Sequence, residues 1–176
     1  GMRTRRARLG ATPFVALLAL AAACATRQDV PGRLVKGIHI SGNHAFSSRA
    51  LRKIISTQQT GWWPFATRHV FDPVVWDQDL QRIVRYYQAH GYYDAQIANT
   101  RVDKSKPGQV SLEVEVREGE ATHVSSVDVT GLDALPVADR EAARKHLALE
   151  KGGVFTEPGW AAAKDSVRSA MRERGY

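Results

Sequence analysis

The chain is poor in cysteine. Cys24 is the only one among 176 residues, which excludes an intrachain disulfide and a thiolate metal site. It also lacks an apolar run of transmembrane length. The stretch "FVALLALAAA" from Phe14 to Ala23 has ten residues, where a spanning helix needs about twenty. G-x-S-x-G, phosphate-loop and H-E-x-x-H patterns are missing, and the six histidines show no ligand spacing. Among the acids, Asp77 and Asp79 stand two apart on an expected helix, do not face each other, and are expected on a solvated face; Asp94 stands alone. No catalytic residue, cofactor or metal is therefore expected. Acid is absent beside Arg3, Arg5, Arg6 and Arg8 at the start, and without residues 1–23 the chain carries 21 basic and 18 acidic residues. The net charge of +7 and the pI near 9.9 are thus no signature of nucleic-acid binding.

The first residues have the order of a secretory signal: arginine-rich, then apolar, then small. Residues 1–23 are expected to be a signal peptide. Leu20-Ala21-Ala22-Ala23-Cys24 resembles a bacterial lipobox, in which cleavage before the cysteine frees it for lipidation, although Ala21 stands where that pattern prefers a larger aliphatic residue. Ala21-Ala22-Ala23 also suits an ordinary signal peptidase, which leaves Cys24 without lipid. "TRRARLG" hints at a twin-arginine signal. Residues 24–33, ending in "TRQDVPGR", read as a polar tether.

Beyond the tether the hydrophobic period alternates between two and 3.6. "LVKGIHISG" places Ile38 and Ile40 on one face and His39 and Ser41 on the other, a strand ending at Gly42. Ser47 or Ser48 is suited to cap a helix with Leu51, Ile54 and Ile55 on one side. After a loop from about Thr57 to Val70, Asp72 and Pro73 open a second helix striped by Trp76, Leu80, Ile83, Val84 and Tyr87, which Gly91 stops. "YYDAQIANTRV" and "QVSLEVEVREG", separated by the turn "DKSKPG", read as a strand pair. Val110, Leu112, Val114 and Val116 alternate inward, with Ser111, Glu113, Glu115 and Arg117 outward. The expected fold is α+β, with strand, helix, helix, strand, strand, and two helices covering one face of a three-stranded sheet.

This unit begins to recur. Phe71, Trp76, Gly91 and Tyr92 match Phe155, Trp160, Gly175 and Tyr176 at an offset of 84, and "IHISG" ending at Gly42 matches "VDVTG" ending at Gly131 at an offset of 89. The first unit therefore carries five extra residues, in the region of "TGWWPFATRHV". Residues 34–120 and 121–176 are expected to be tandem β-α-α-β-β modules. The second should have its strand and both helices but be truncated at Tyr176, before its strand pair, so the natural protein is expected to be longer.

"IHISGNHAF", "FDPVVWDQDLQRIVRYYQAHGYYDAQI" and "LEVEVREGEATHVSSVDVTG" resemble tandem POTRA (polypeptide-transport-associated) domains of outer-membrane-protein assembly factors of the BamA/TamA type, from about Val35 to Tyr176. That resemblance implies a periplasmic region preceding a membrane β-barrel. The partners it implies are unfolded outer-membrane protein clients and assembly-machine proteins, with attachment to the outer membrane through the barrel; the lipobox-like stretch adds a lipid on Cys24 as a second attachment. An open sheet edge can accept an extended chain. The candidate edge is Asp94, Ala95, Gln96, Ile97, Ala98, Asn99, Thr100, Arg101 and Val102; the same residues also read as a solvated rim blunted by Asp94, Asn99 and Arg101. Trp62, Trp63 and Phe65 are either a contact loop for a partner or, the favoured expectation, a cap folded onto the module's own core. The alternative to an assembly factor is a lipid-anchored periplasmic scaffold without a barrel.

Overall fold

The computed structural model describes residues 32–133, 135–145, 147 and 149–176. The expected signal peptide, Cys24 and all but the last two residues of the tether lie outside the described residues. Strand β3 (Gln109–Arg117) is the middle of a three-stranded sheet, flanked by β1 (Leu34–Ser41), parallel to it, and β2 (Gln96–Asp103), antiparallel. The alternation in β3 sends Val110, Leu112, Val114 and Val116 into the interior, none more than 4% exposed. In β1, Val35 and Ile38 are both buried although three residues apart. An irregularity in register between Val35 and Gly37 allows this, because an extra residue in one strand resets which face its side chains take.

Helices α1 (Ser48–Ile54) and α2 (Pro73–Ala89) supply the other side of the core. Ser47 caps α1 by accepting from the Ala50 N–H, and Asp72 caps α2 by accepting from the Val74 and Val75 N–H groups, just ahead of Pro73. Trp76, Ile83 and Tyr87 are buried, with Leu80 half-buried beside them. Phe46, in the turn after β1, meets Tyr86, Tyr87, His90 and Tyr92 edge-on at centroid distances of 5.0 to 5.8 Å, a geometry that aligns ring edges with the faces' negative charge.

Two carboxylates tie these pieces together. Asp79 was expected on a solvated face and is instead fully buried. Its oxygens accept the Ser56 and Thr57 N–H groups at 2.8 and 2.7 Å and pair with Arg82. The backbone leaving α1 has no helical partner for those donors, so the acid of α2 serves as their acceptor. Glu118, just past β3, accepts from the Ala45 N–H and the Tyr87 hydroxyl, each at 2.8 Å. Burial, reinforced by the Glu118 carboxylate, pushes the Tyr87 hydroxyl far above its ordinary pKa.

The second unit repeats the first bond by bond. The Phe71 N–H donates to the Arg33 carbonyl and the Phe155 N–H to that of Thr122; Val35 donates to His69 and Val124 to Gly153; Tyr92 donates to Tyr87 and Tyr176 to Met171. Each pair is related by the offsets of 89 and 84 found in the sequence. Bridges Leu34 to Val70 and His123 to Val154 correspond in the same way. Helices α3 (Val137–Arg144) and α4 (Glu157–Arg172) follow, the latter capped by Thr156. The strand expected at "VDVTG" does not form: residues 126–130 have no strand assignment. In the first unit the equivalent strand takes its ladder from β3, and among the described residues no strand after β3 offers one to the second unit. Trp160 consequently stays 48% exposed, where Trp76 is 4%.

The Asp79 site makes stability depend on pH. Burial alone raises its pKa, but the hydrogen bonds from Thr57 and Ser56 and the Arg82 guanidinium lower it by more, to below the ordinary carboxylate value. A depressed folded-state pKa contributes stability above the unfolded value of about 4 and loses it as pH falls through the folded value. Asp79→Asn, which turns a donor toward one of the two N–H groups, should cost about 2–4 kcal/mol at pH 7. In urea unfolding the gap from the parent should narrow below about pH 4; an equal gap at pH 7 and pH 3 would refute the assignment.

Candidate binding edge, module junction and aromatic loop

β2 is an outer strand of the sheet. Gln96, Ala98, Asn99, Thr100 and Arg101 are exposed, while Ile97 and Val102 are half-buried. Two expected edge residues lie outside it. Asp94 and Ala95 form the turn that precedes β2, with the Ala95 N–H bonded to the Tyr92 carbonyl and Ala95 itself buried; Asp103 completes the strand at its other end. Among the described residues no strand pairs with the outer side of β2. The other outer strand is less accessible. At Val35 both backbone groups of β1 are taken, the N–H by His69 and the carbonyl by the Thr60 N–H, and the Ile40 carbonyl accepts from Ser48.

The two faces beside the β2 edge differ in chemistry. Toward the helices lies an open groove of about 520 Å³, lined by Leu80, Val84, Ile97 and Thr100 with Asp77, Gln81 and Arg85 at its margins. On the opposite face the register sets Arg101 against Glu113 and Glu113 against His39, with Asn99, Glu115 and Ser41 in the next row, an alternation of charge that keeps this face hydrated. The edge thus offers backbone donors and acceptors with an apolar strip on one side and a polar surface on the other. Among the described residues no group of three or more His, Cys, Asp or Glu is placed to hold a metal ion.

The junction between the two units is made of backbone. The Thr122 N–H donates to the Gly91 carbonyl at 2.8 Å, Phe155 donates to the Thr122 carbonyl at 2.8 Å, and the Tyr93 and Phe155 rings stack at 6.5 Å. Gly91 has φ +91°, and a Cβ there would lie 2.3 Å from the Phe155 carbonyl oxygen. Its glycine identity therefore serves two ends, stopping α2 and letting the second unit close in. The other repeated positions are scaffold: Gly42 brings its Cα against the Val116 carbonyl, Phe71 is half-buried on the core, Tyr92 packs on Tyr87, and Gly131 and Gly175 have the same positive φ as their counterparts.

Trp62, Trp63 and Phe65 do not fold onto the core, contrary to expectation. They are 83%, 63% and 96% exposed. The neck of their loop is held to β1. Thr60 and His69 are held to both sides of Val35, and the Thr60 hydroxyl both accepts from the His69 N–H and donates to its carbonyl. In the second unit the corresponding bonds to Val124 come from the adjacent Gly152 and Gly153. Residues 61–68 are thus an excursion closed at its base.

The architecture is α+β, one β-α-α-β-β unit followed by two further helices. Residues 34–119 match the model of the POTRA family, described as "Surface antigen variable number repeat". The chain is similar to the outer membrane protein assembly factor BamA of Neisseria meningitidis serogroup B, at 26% identity over 81% of this chain and 18% of the relative. It is also similar to a putative outer membrane protein assembly factor of Treponema pallidum, at 27% identity over 86% of this chain and 18% of that protein. The chain spans under a fifth of the length of these curated relatives. A solved structure of Haemophilus influenzae BamA POTRA3-5 aligns with 82% of this chain and 56% of its own, at 25% identity and a TM-score of 0.48.

Gly91→Ala should open the junction while leaving the first unit folded. With positive-φ strain of about 1–3 kcal/mol added to the clash, the Thr122 and Phe155 amides should exchange with solvent at least about tenfold faster. Unchanged protection at both amides would show that the junction tolerates a side chain.

Proposed function

We propose that the chain is the periplasmic POTRA region of an outer-membrane protein assembly or translocation factor. It takes up unfolded outer-membrane protein clients, or strands of assembly partners, by adding them to β2, ahead of a membrane β-barrel in the whole protein. The observation that carries this reading is the unpaired outer side of β2 alongside the Leu80, Val84 and Ile97 groove. Added strands gain affinity from main-chain hydrogen bonds, which are blind to sequence, and selectivity from alternate side chains. Here the selectivity favours amphipathic strands: side chains of one parity cover the groove and those of the other parity join the Arg101 and Glu113 face. Membrane β-strands have that alternation. The work is binding without chemistry.

Residues 1–23 act as the signal peptide, Cys24 and the tether to residue 33 as the attachment, and residues 34–120 and 121–176 as successive modules. A second reading, a lipid-anchored periplasmic scaffold without a barrel, is favoured by Leu20-Ala21-Ala22-Ala23-Cys24. In that case β2 takes a folded partner's strand.

A titration with an extended ten-residue peptide of alternating apolar and polar residues tests the edge. Amides among Gln96–Asp103 that face away from β3 should gain hydrogen-exchange protection, and Val84→Glu, placed at the groove, should weaken the peptide about tenfold or more. Protection that maps to β1 or the helices, or an unaffected Val84→Glu chain, would sink strand addition at β2.

A further inference from the structure

The loop of residues 61–68 sits in an unusual electrostatic setting. Residues 30–71 contain six basic residues, Arg33, Lys36, Arg49, Arg52, Lys53 and Arg68, and no Asp or Glu, whereas residues 72–176 contain 14 basic and 17 acidic residues. The only three aromatic side chains more than 60% exposed, among the described residues, lie inside this acid-free segment.

The fold adds cations from elsewhere at the same end of the sheet. The loop's neck is bonded to Val35 at the start of β1, and the Arg33 guanidinium beside it donates to the Lys104 and Lys106 carbonyls at 3.1 and 3.3 Å. The β2–β3 turn, with Lys104 and Lys106, is thereby held beside the base of the loop. Asp103 is the one acid bordering that turn.

We propose that the loop is a docking anchor for an anionic phospholipid surface, with Trp62, Trp63 and Phe65 entering the headgroup–acyl boundary and the surrounding cations meeting lipid phosphates. Three features favour a bilayer over a protein partner. The three aromatics stand exposed on one eight-residue loop, so a fluid interface can take all of them. Tryptophan with nearby Lys and Arg is the composition of interfacial anchors. Each cation near an anionic surface adds attraction that a neutral partner does not supply. The inference does not depend on strand addition at β2 and goes beyond it.

The test uses the full chain with Cys24→Ser, so that no acyl group contributes, and vesicles of phosphatidylglycerol and phosphatidylethanolamine with or without brominated acyl chains. A Trp160→Phe background leaves Trp62, Trp63 and buried Trp76 as emitters. Brominated vesicles should quench the emission, and Trp62→Ser/Trp63→Ser/Phe65→Ser should abolish the quenching and lower vesicle affinity about tenfold without moving the unfolding midpoint. Lys104→Gln/Lys106→Gln should weaken binding about fivefold per charge removed at low salt, with little effect in vesicles of phosphatidylcholine. Emission that stays unquenched overturns the proposal, whether the chain remains in solution or binds through another segment, as does equal affinity in the triple variant. Unquenched emission together with aromatic-dependent cross-linking to a protein would overturn it in favour of a protein-docking loop.

Discussion

The first unit rests on one long-range pairing, that of β1 with β3. Leu34 meets Gln109, seventy-five residues later, and the two strands run parallel. Parallel neighbours need a crossover, and here the crossover contains both helices and β2. β3 then supplies every ladder in the sheet, since β1 and β2 touch only it. Before β3 arrives, β1 has only the few bonds at Val35 and Ile40 and the Val70 bridge, and no ladder. The same dependence explains the second unit, where caps, helix turns and the docking segment form from nearby residues while the stretch at 126–130 stays without a ladder.

That architecture also separates specificity from support. Asp79 and Glu118 do inside the unit what caps do at helix ends, giving stranded N–H groups an acceptor, and their cost in burial is offset by several bonds each. With those donors satisfied, the exposed surface is free to differ from place to place. One outer strand is left with a half-apolar margin, one end of the sheet is cationic and aromatic, and the two units meet through main chain at Gly91, Thr122 and Phe155.

Much of this is legible in the residues because its causes are local. The alternation of Val110 to Val116 dictates the inward face of β3, Asp72-Pro73 marks where α2 begins, and the doubled offsets of 84 and 89 reappear as doubled hydrogen bonds. The failures come where a residue's partner is distant or absent. Asp79 lies three residues after Trp76 and four before Ile83, so its place on the buried stripe was available from spacing; its acceptor role toward Ser56 and Thr57 was not, because the donors sit in an irregular segment. Ala95 is buried because the turn folds it under the sheet, a detail strand periodicity does not encode. Trp62, Trp63 and Phe65 stand exposed on a loop that Thr60 and His69 close at its base, where aromatic composition alone points the other way.

The paired glycines of the second unit bear on that loop in a different sense. Gly152 and Gly153 make, as neighbours, the bonds that Thr60 and His69 make across eight intervening residues. The chain thus holds both a decorated and a plain edition of one scaffold. Because the decoration enters and leaves at a single sealed point, it can be gained, lost or exchanged between copies in one genetic step, with the sheet and helices indifferent to the change. Such a fold can vary what it touches while keeping how it folds.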